Sequence, residues 1–314
     1  MNIVFMGTPD FAVPCLEALI ESGENIQAVF TQPDKPKGRG YKLTPPPVKE
    51  LAVKRGIPVY QPESFKKGES AESAYNTIKK LAPDLVVVVA YGKILPVSVL
   101  ETPKYGCINV HASLLPRFRG AAPIQFSILS GDKITGVTTM QMADGIDTGD
   151  MLLRTETTIG ENETASELHD RLSLLGAELI VKTVEAVRSG TLIPVKQDDS
   201  LSTHAGMITK DMCTVDFTKP AAEVHNKIRG LSAYPCAHAF LDGRKIKFYR
   251  SEIAEIPSCP AGNVVNDNDL TIACGDGRGV KILEVQSEGG KRMKTADFLN
   301  GTKLRRGMVF TDGK

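Results

Sequence analysis

An amide, an imidazole and a carboxylate stand just behind short apolar runs in the first half of this 314-residue chain. Asn109 lies in the run Cys107-Ile108-Asn109-Val110 and His111 follows it. Two residues of separation put both side chains on one face of an extended strand. A second run, Val137 to Met142, leads into Asp144-Gly145-Ile146-Asp147-Thr148-Gly149-Asp150, which offers three carboxylates. Imidazole is the side chain that changes charge near neutral pH, so such a group is suited to moving a proton at a polar reacting centre. One histidine alone is more often a structural hydrogen-bonding group. The amide two residues before it and the acidic loop are what make His111 a catalytic candidate.

Other chemistries lack their residues. Gly7-Thr8-Pro9-Asp10 follows the first apolar run, but it has one glycine and a proline where a dinucleotide loop needs a free backbone. There is no phosphate-binding Gly-Lys-Ser/Thr and no Gly-x-Ser-x-Gly elbow. Gly275-Asp276-Gly277-Arg278-Gly279 reads as a turn in a β-rich region. The six cysteines, at positions 15, 107, 213, 236, 259 and 274, have no metal-binding spacing, and the five histidines are scattered, so no metal is expected. In a chain of this length they read as reduced thiols of a cytoplasmic protein. The longest apolar run, Leu85 to Ala90, is far short of the about 20 residues a membrane span needs. Met1-Asn2-Ile3-Val4-Phe5-Met6 lacks a charged leader and a small-residue cleavage site, so no signal peptide is expected.

The elements that must position these groups alternate. Ile3–Met6, Ile26–Thr31, Leu85–Ala90, Cys107–Val110, Val137–Met142 and Met151–Ile159 read as strands. Leu85-Val86-Val87-Val88-Val89 is a continuous β-branched run of the kind a parallel strand shows when both faces are covered. Between them lie a helix from about Phe11 to Gly23, which Pro14 either kinks or starts, and another from Ala121 to Leu129. A long helix opens on the capping box Thr164-Ala165-Ser166-Glu167 and stops at Gly190. This alternation predicts an α/β fold with a doubly wound, mostly parallel sheet, on whose carboxyl rim ligands bind. The domain spans residues 1–190, and a polar stretch at 191–206, with Gln197-Asp198-Asp199-Ser200, reads as a linker. Residues 207–314 change texture. Short alternating segments at 236–241, 245–249, 270–273 and 280–285, with Asp242-Gly243 as a hairpin turn, predict a smaller C-terminal β-barrel of the OB type. Helices are expected near 221–229 and 295–299.

Cys107-Ile108-Asn109-Val110-His111-Ala112-Ser113-Leu114-Leu115-Pro116, with Asp144-Gly145-Ile146-Asp147-Thr148-Gly149, resembles the paired signature of the folate-dependent formyltransferases. Met6 to Ala12, Phe30 to Asp34 and Arg117 to Gln125 make the chain similar to the branch of that family that acts on methionyl-tRNA. The resemblance is dense over the first domain and holds only in outline over the second. It implies a Rossmann-like catalytic domain and an enzyme of translation initiation. That enzyme moves a formyl group from 10-formyltetrahydrofolate to the α-amino group of methionine on initiator tRNA. Its catalytic residues would be Asn109, His111 and Asp147. Asn109 would donate to the developing oxyanion and His111 would shuttle the proton. Asp147 would orient the imidazole, stabilise its cation or hold a relaying water. Lys93, Ile94, Leu95 and Asp144 would line the pterin cleft, and Ser113, Leu114, Leu115 and Pro116 the folate site beside the formyl group. The protein is expected to act as a monomer.

One biased segment remains, Gln32 to Lys49, with five prolines and Lys35, Lys37, Arg39, Lys42 and Lys49 against the single acid Asp34. Arg39 sits between Gly38 and Gly40, on a backbone free to carry its guanidinium into a groove. Read alone, this is a solvated loop. Beside the motifs above it reads as a contact to the tRNA acceptor stem. Residues 206–314 hold 17 basic against 13 acidic side chains, a net +4. Lys245, Lys247, Arg250, Lys291, Arg292 and Lys294 are the candidates there for phosphate contact. The alternatives are a formyltransferase for a sugar nucleotide or other small amine, an RNA-binding module on an inactive scaffold, and a hydrolase of the formyl donor.

Overall fold

The structure is a computed structural model that describes residues 1–37 and 42–313. The chain folds into two compact units. One is Met1–Gly120, Gly136–Thr157 and His169–His204; the other is Ala121–Thr135, Thr158–Leu168 and Ala205–Lys314.

The chain begins with β1 (Asn2–Gly7), α1 (Val13–Glu21) and β2 (Asn25–Phe30). Pro14 lies in the first turn of α1, where its missing N–H costs nothing, so the proline starts the helix and does not kink it. The described residues of the proline-rich segment, 32–37 and 42–49, hold regular structure. They pair β3 (Lys35–Lys37) with β4 (Lys42–Thr44), and Pro47 then opens α2 (Pro47–Lys54). Next come β5 (Val59–Tyr60), α3 (Glu69–Leu81), β6 (Leu85–Val89), α4 (Val97–Leu100) and β7 (Cys107–His111). After β8 (Arg119–Gly120) and α5 (Pro123–Leu129) follow β9 (Ile134–Gln141), β10 (Met151–Thr158) and α6 (Ala165–Ser189). The main sheet runs β10-β9-β7-β6-β1-β2-β5. From β7 to β5 its neighbours are parallel, and all five residues of β6 are buried. β9 is antiparallel to β7, with His111 opposite Thr138 and Ile108 opposite Gln141.

In the second unit the expected capping box forms. Thr164 N donates to Glu167 Oε2 at 2.9 Å and Glu167 N to Thr164 Oγ1 at 3.4 Å. Beyond β11 (His204–Ala205) lie α7 (Ala221–Gly230), β12 (Ala237–Leu241) and β13 (Arg244–Ala254). Asp242 and Gly243 join β12 to β13 with φ of 50° and 75°, the left-handed pair a two-residue hairpin demands. β14 (Thr271–Ala273), β15 (Gly279–Ser287), β16 (Met293–Lys294), α8 (Thr295–Gly301) and β17 (Phe310–Thr311) complete the chain. The antiparallel order is β14-β15-β13-β12-β17. Asn263 and Val264 bridge to Val309 and Ile272, which joins the two ends of this curled sheet. Phe217, Phe248, Phe310, Ile272 and Val285 fill its interior.

Candidate active site

β7 carries Asn109 in its middle and His111 at its end, both directed at Asp147. Asn109 Nδ2 lies 3.5 Å from Asp147 Oδ1, and His111 Nδ1 lies 3.5 Å from Asp147 Oδ2. The way Asp147 gets there differs from the expectation of a shared carboxyl rim. Because β9 runs against β7, the segment after it starts beside the first residue of β7, with Met142 N on Cys107 O at 2.8 Å. Residues 143–147 then return along β7. Gly149 closes the loop against the end of β9, since a Cβ there would sit 1.7 Å from the Gln141 carbonyl oxygen. Asp147 is left-handed at φ 53°, a conformation aspartate tolerates better than most residues. Its Oδ2 accepts from Gly120 N at 2.8 Å.

The imidazole is buried and its orientation is fixed from behind. His111 Nε2 lies 2.9 Å from the Phe118 carbonyl, which can only accept, so Nε2 carries the hydrogen. In the neutral ring Nδ1 is then the free base, and it is the atom that faces Asp147. Asn109, half-buried, has among the described residues only the long contact to Asp147, which leaves amide hydrogens unspent beside the imidazole.

Two further groups of hydrogen bonds come from the stretch read as a linker. Gln197 Nε2 donates to the carbonyls of Asp147 (2.8 Å) and Gly149 (2.6 Å), and Gln197 Oε1 accepts from Arg119 Nε at 3.0 Å. Thr203 Oγ1 accepts from Phe118 N at 2.8 Å. No residue pattern announced either one. A buried glutamine in a polar stretch looks like any surface glutamine until its neighbours are placed.

The other expected ligand-lining residues divide by exposure. Ser113 and Leu115 are fully buried: Ser113 Oγ donates to Arg117 O at 2.7 Å, and Leu115 N donates to Thr138 Oγ1 at 3.2 Å. They support the loop and present no surface to a ligand. Leu114 and Pro116 are half-buried. Ile94 and Asp144 are exposed and Leu95 is buried. Lys93 donates to the Glu63 carbonyl, and burial followed by the nearby Lys35 charge pushes its pKa down.

Of the basic candidates, Arg39 lies outside the described residues, and for Lys37 and Lys42 only the backbone pairing in β3 and β4 is described. Lys35 is exposed and donates to Gln32 Oε1 at 2.9 Å. Lys49 is not free for phosphate. It is held by both Asp34 oxygens at 2.8 and 2.9 Å and by Gln61 at 2.8 Å. In the second unit Lys245 and Lys247 alternate with buried Ile246 and Phe248, so they share the outer face of β13. Across the ladder they meet Phe240 and His238, and the Lys245 ammonium lies 5.5 Å from the Phe240 ring centre. Arg250 is paired with Glu167 and Glu284, and Arg292 with Glu284, so their charge is already neutralised. Lys291 and Lys294 are exposed.

Comparison with known proteins agrees with this architecture. Residues 1–184 match the formyl transferase family, and residues 207–303 match the formyl transferase C-terminal domain. The chain belongs to the formyl transferase family. Among similar family members, the methionyl-tRNA formyltransferase of Trichlorobacter lovleyi is 50% identical over 98% of this chain and 96% of its own. That of Caldanaerobacter subterraneus is 47% identical, covering 98% and 99%. Among solved structures, a sugar 3N-formyltransferase, WlaRD, superposes with a TM-score of 0.69 at 20% identity over 90% of this chain and 97% of its own. HypX from Aquifex aeolicus, in complex with tetrahydrofolic acid, gives 0.63 at 15% identity over 98% of this chain and 51% of its own. These two share the fold. Among the described residues, this formyltransferase has no group of side chains that could hold a metal ion and no helix long and apolar enough to cross a membrane.

Proposed function

We propose that this chain transfers the formyl group of 10-formyltetrahydrofolate to the α-amino group of methionyl-tRNA, the initiator species, with Asn109, His111 and Asp147 as its catalytic residues. Support for the acceptor comes from relatives about 50% identical over nearly the whole of both chains, each a methionyl-tRNA formyltransferase. The observation that carries the mechanism is the one carboxylate whose two oxygens face an amide and an imidazole, each at 3.5 Å.

Attack of the neutral amine on the formyl carbon forms a C–N bond and leaves a negative oxygen and a positive nitrogen. The unspent Asn109 N–H groups suit the oxygen, a role worth about 10²–10³ in turnover. His111 Nδ1, the free base of the ring, takes the proton from the new ammonium. The imidazolium so formed has both hydrogens placed, Nε2–H on the Phe118 carbonyl and Nδ1–H toward Asp147 Oδ2. His111 then returns the proton to the leaving folate nitrogen as the old C–N bond breaks. The donor supplies the activated formyl group. Ile94, Asp144, Leu114 and Pro116, which keep solvent-facing surface, hold it in this reading, with buried Leu95, Ser113 and Leu115 behind them.

Residues 1–190 form the catalytic domain in this reading, and 207–314 the tRNA-binding domain. Lys35, Arg39, Lys37 and Lys42 meet the acceptor end, and Lys245 and Lys247, beside Phe240 and His238, meet the tRNA backbone. The test is formylation of charged initiator tRNA with 10-formyltetrahydrofolate. It is run beside an amino-sugar nucleotide as competing acceptor and a control without acceptor. Formylmethionyl-tRNA as the dominant product is expected. Equal kcat/KM for the sugar, or formate as the main product, overturns the acceptor. His111→Ala should lose about 10²–10⁴ in turnover with tRNA affinity unchanged.

A further inference from the structure

We infer that residues 197–203, a stretch that supplies no group to the reaction itself, set the geometry of the catalytic residues. Gln197 holds Asp147, and Thr203 holds the carbonyl that orients His111. This rests on the mechanism proposed above.

Gln197 is 5% exposed and both ends of its amide are engaged. Both amide hydrogens go to carbonyls, of Asp147 and of Gly149, and its oxygen takes the Arg119 Nε hydrogen. Two acceptors on one side and a guanidinium on the other allow only one orientation of the amide. The guanidinium is itself anchored, since Arg119 Nη2 reaches Asp199 Oδ1 at 2.7 Å. Gln197 thus pins the peptide that follows Asp147, and also the one that follows Gly149, in a loop where Asp147 has a left-handed φ of 53°. Releasing that peptide lets Asp147 relax and swing its carboxylate away from the imidazole.

Thr203 does the same for His111. Phe118 is also left-handed, at φ 58°, and its carbonyl is the acceptor for His111 Nε2. The Phe118 N–H is held by Thr203 Oγ1 and the next N–H, of Arg119, by the Thr203 carbonyl at 2.9 Å. Thr203 therefore fixes the peptides flanking Phe118, and through them the ring orientation that leaves Nδ1 as the base. Both catalytic partners are gripped through main chain by one nine-tenths-buried amide and one hydroxyl of the same short segment. Neither grip touches a place where substrate atoms react, so these are positioning residues.

The experiment compares Gln197→Met, Gln197→Glu, Thr203→Val and Thr203→Ser in the full chain, with kcat and both KM values measured per folded enzyme. Folding is verified by near-ultraviolet circular dichroism. Displacing a catalytic group by about an ångström costs on the order of 10²-fold. Gln197→Met and Gln197→Glu should lose about 10–100-fold in kcat, and Thr203→Val less, with each KM within about twofold. Thr203→Ser keeps the acceptor oxygen and should restore the parent kcat. Parent-like kcat in the folded Gln197 variants, or equal loss in Thr203→Ser and Thr203→Val, overturns the inference. If His111→Ala and Asp147→Asn also retain full turnover, the underlying mechanism has failed. If they are inactive while the Gln197 variants are not, only the positioning role has failed.

Discussion

Replacing Asp147 by asparagine separates charge from shape at the centre of the site. The asparagine oxygen can keep the bond from Gly120 N, so the loop anchor survives. The negative charge facing His111 is lost, and the new amide hydrogens face those of Asn109. With 3.5 Å between Oδ2 and Nδ1, a full ion pair is worth about 5 kcal/mol at an effective dielectric of about 20. Both side chains are largely buried, at 6% and 16% exposure, so solvent screens little of this. The imidazolium develops only partly in the transition state, which leaves an expected loss of about 10²–10³ in kcat. Single-turnover formylation with saturating donor and charged tRNA reads this step directly. Tritium- or mass-labelled formyl product is counted against folded enzyme. Turnover within about threefold of the parent would show that Asp147 carries no catalytic charge, and the proton route through His111 would have to be abandoned.

Salt dependence separates the lysines. Lys245→Ala and Lys247→Ala should each reduce the log–log slope of tRNA affinity against salt by about 0.7–0.9, whereas Lys49→Ala, whose ammonium is already held by Asp34, should leave it unchanged. Native alkylation followed by mass spectrometry should place one adduct per chain, on half-buried Cys259. The other five thiols are buried, and burial pushes those of Cys15, Cys107 and Cys274 up to about 12. Burial lowers the pKa of His225, whose ring is fixed between Ser251 Oγ (2.9 Å) and the Glu161 carbonyl (3.0 Å). Burial, with Lys245 and Lys247, lowers that of His238. The unfolded chain therefore binds more protons below pH of about 6.5, and stability should fall as pH drops through that range. Thermal melts should show this slope, shallower in His225→Gln; an unaltered slope in that variant would remove His225 from the account.

Much of the fold was legible because local and global preferences agree. Leu85–Val89 could only be a doubly covered strand, Thr164 and Glu167 cap each other as their spacing required, and Asp242-Gly243 turns as that pair must. The 33–47 stretch was harder. Its prolines and lysines have the composition of a loop, and the β3–β4 pairing and the helix at Pro47 come from neighbours that composition does not record.

The residues of the candidate site were set by the sequence itself: residue type and spacing alone put Asn109 and His111 on one face of a strand and an acidic loop after β9. Tertiary structure decided everything that depends on direction. The antiparallel placement of β9 sends the loop off from the wrong end, and only its return along β7, closed at Gly149 against the end of β9, brings Asp147 to the imidazole. Among the described residues, pairing decided which cations remain available, sparing Lys245 and Lys247 and neutralising Lys49, Arg250 and Arg292. Gln197 and Thr203 act across 50 and 85 residues of chain to reach Asp147 and Phe118. A hydrogen bond is a matter of ångströms and angles between groups, and a one-dimensional pattern carries neither for residues so far apart.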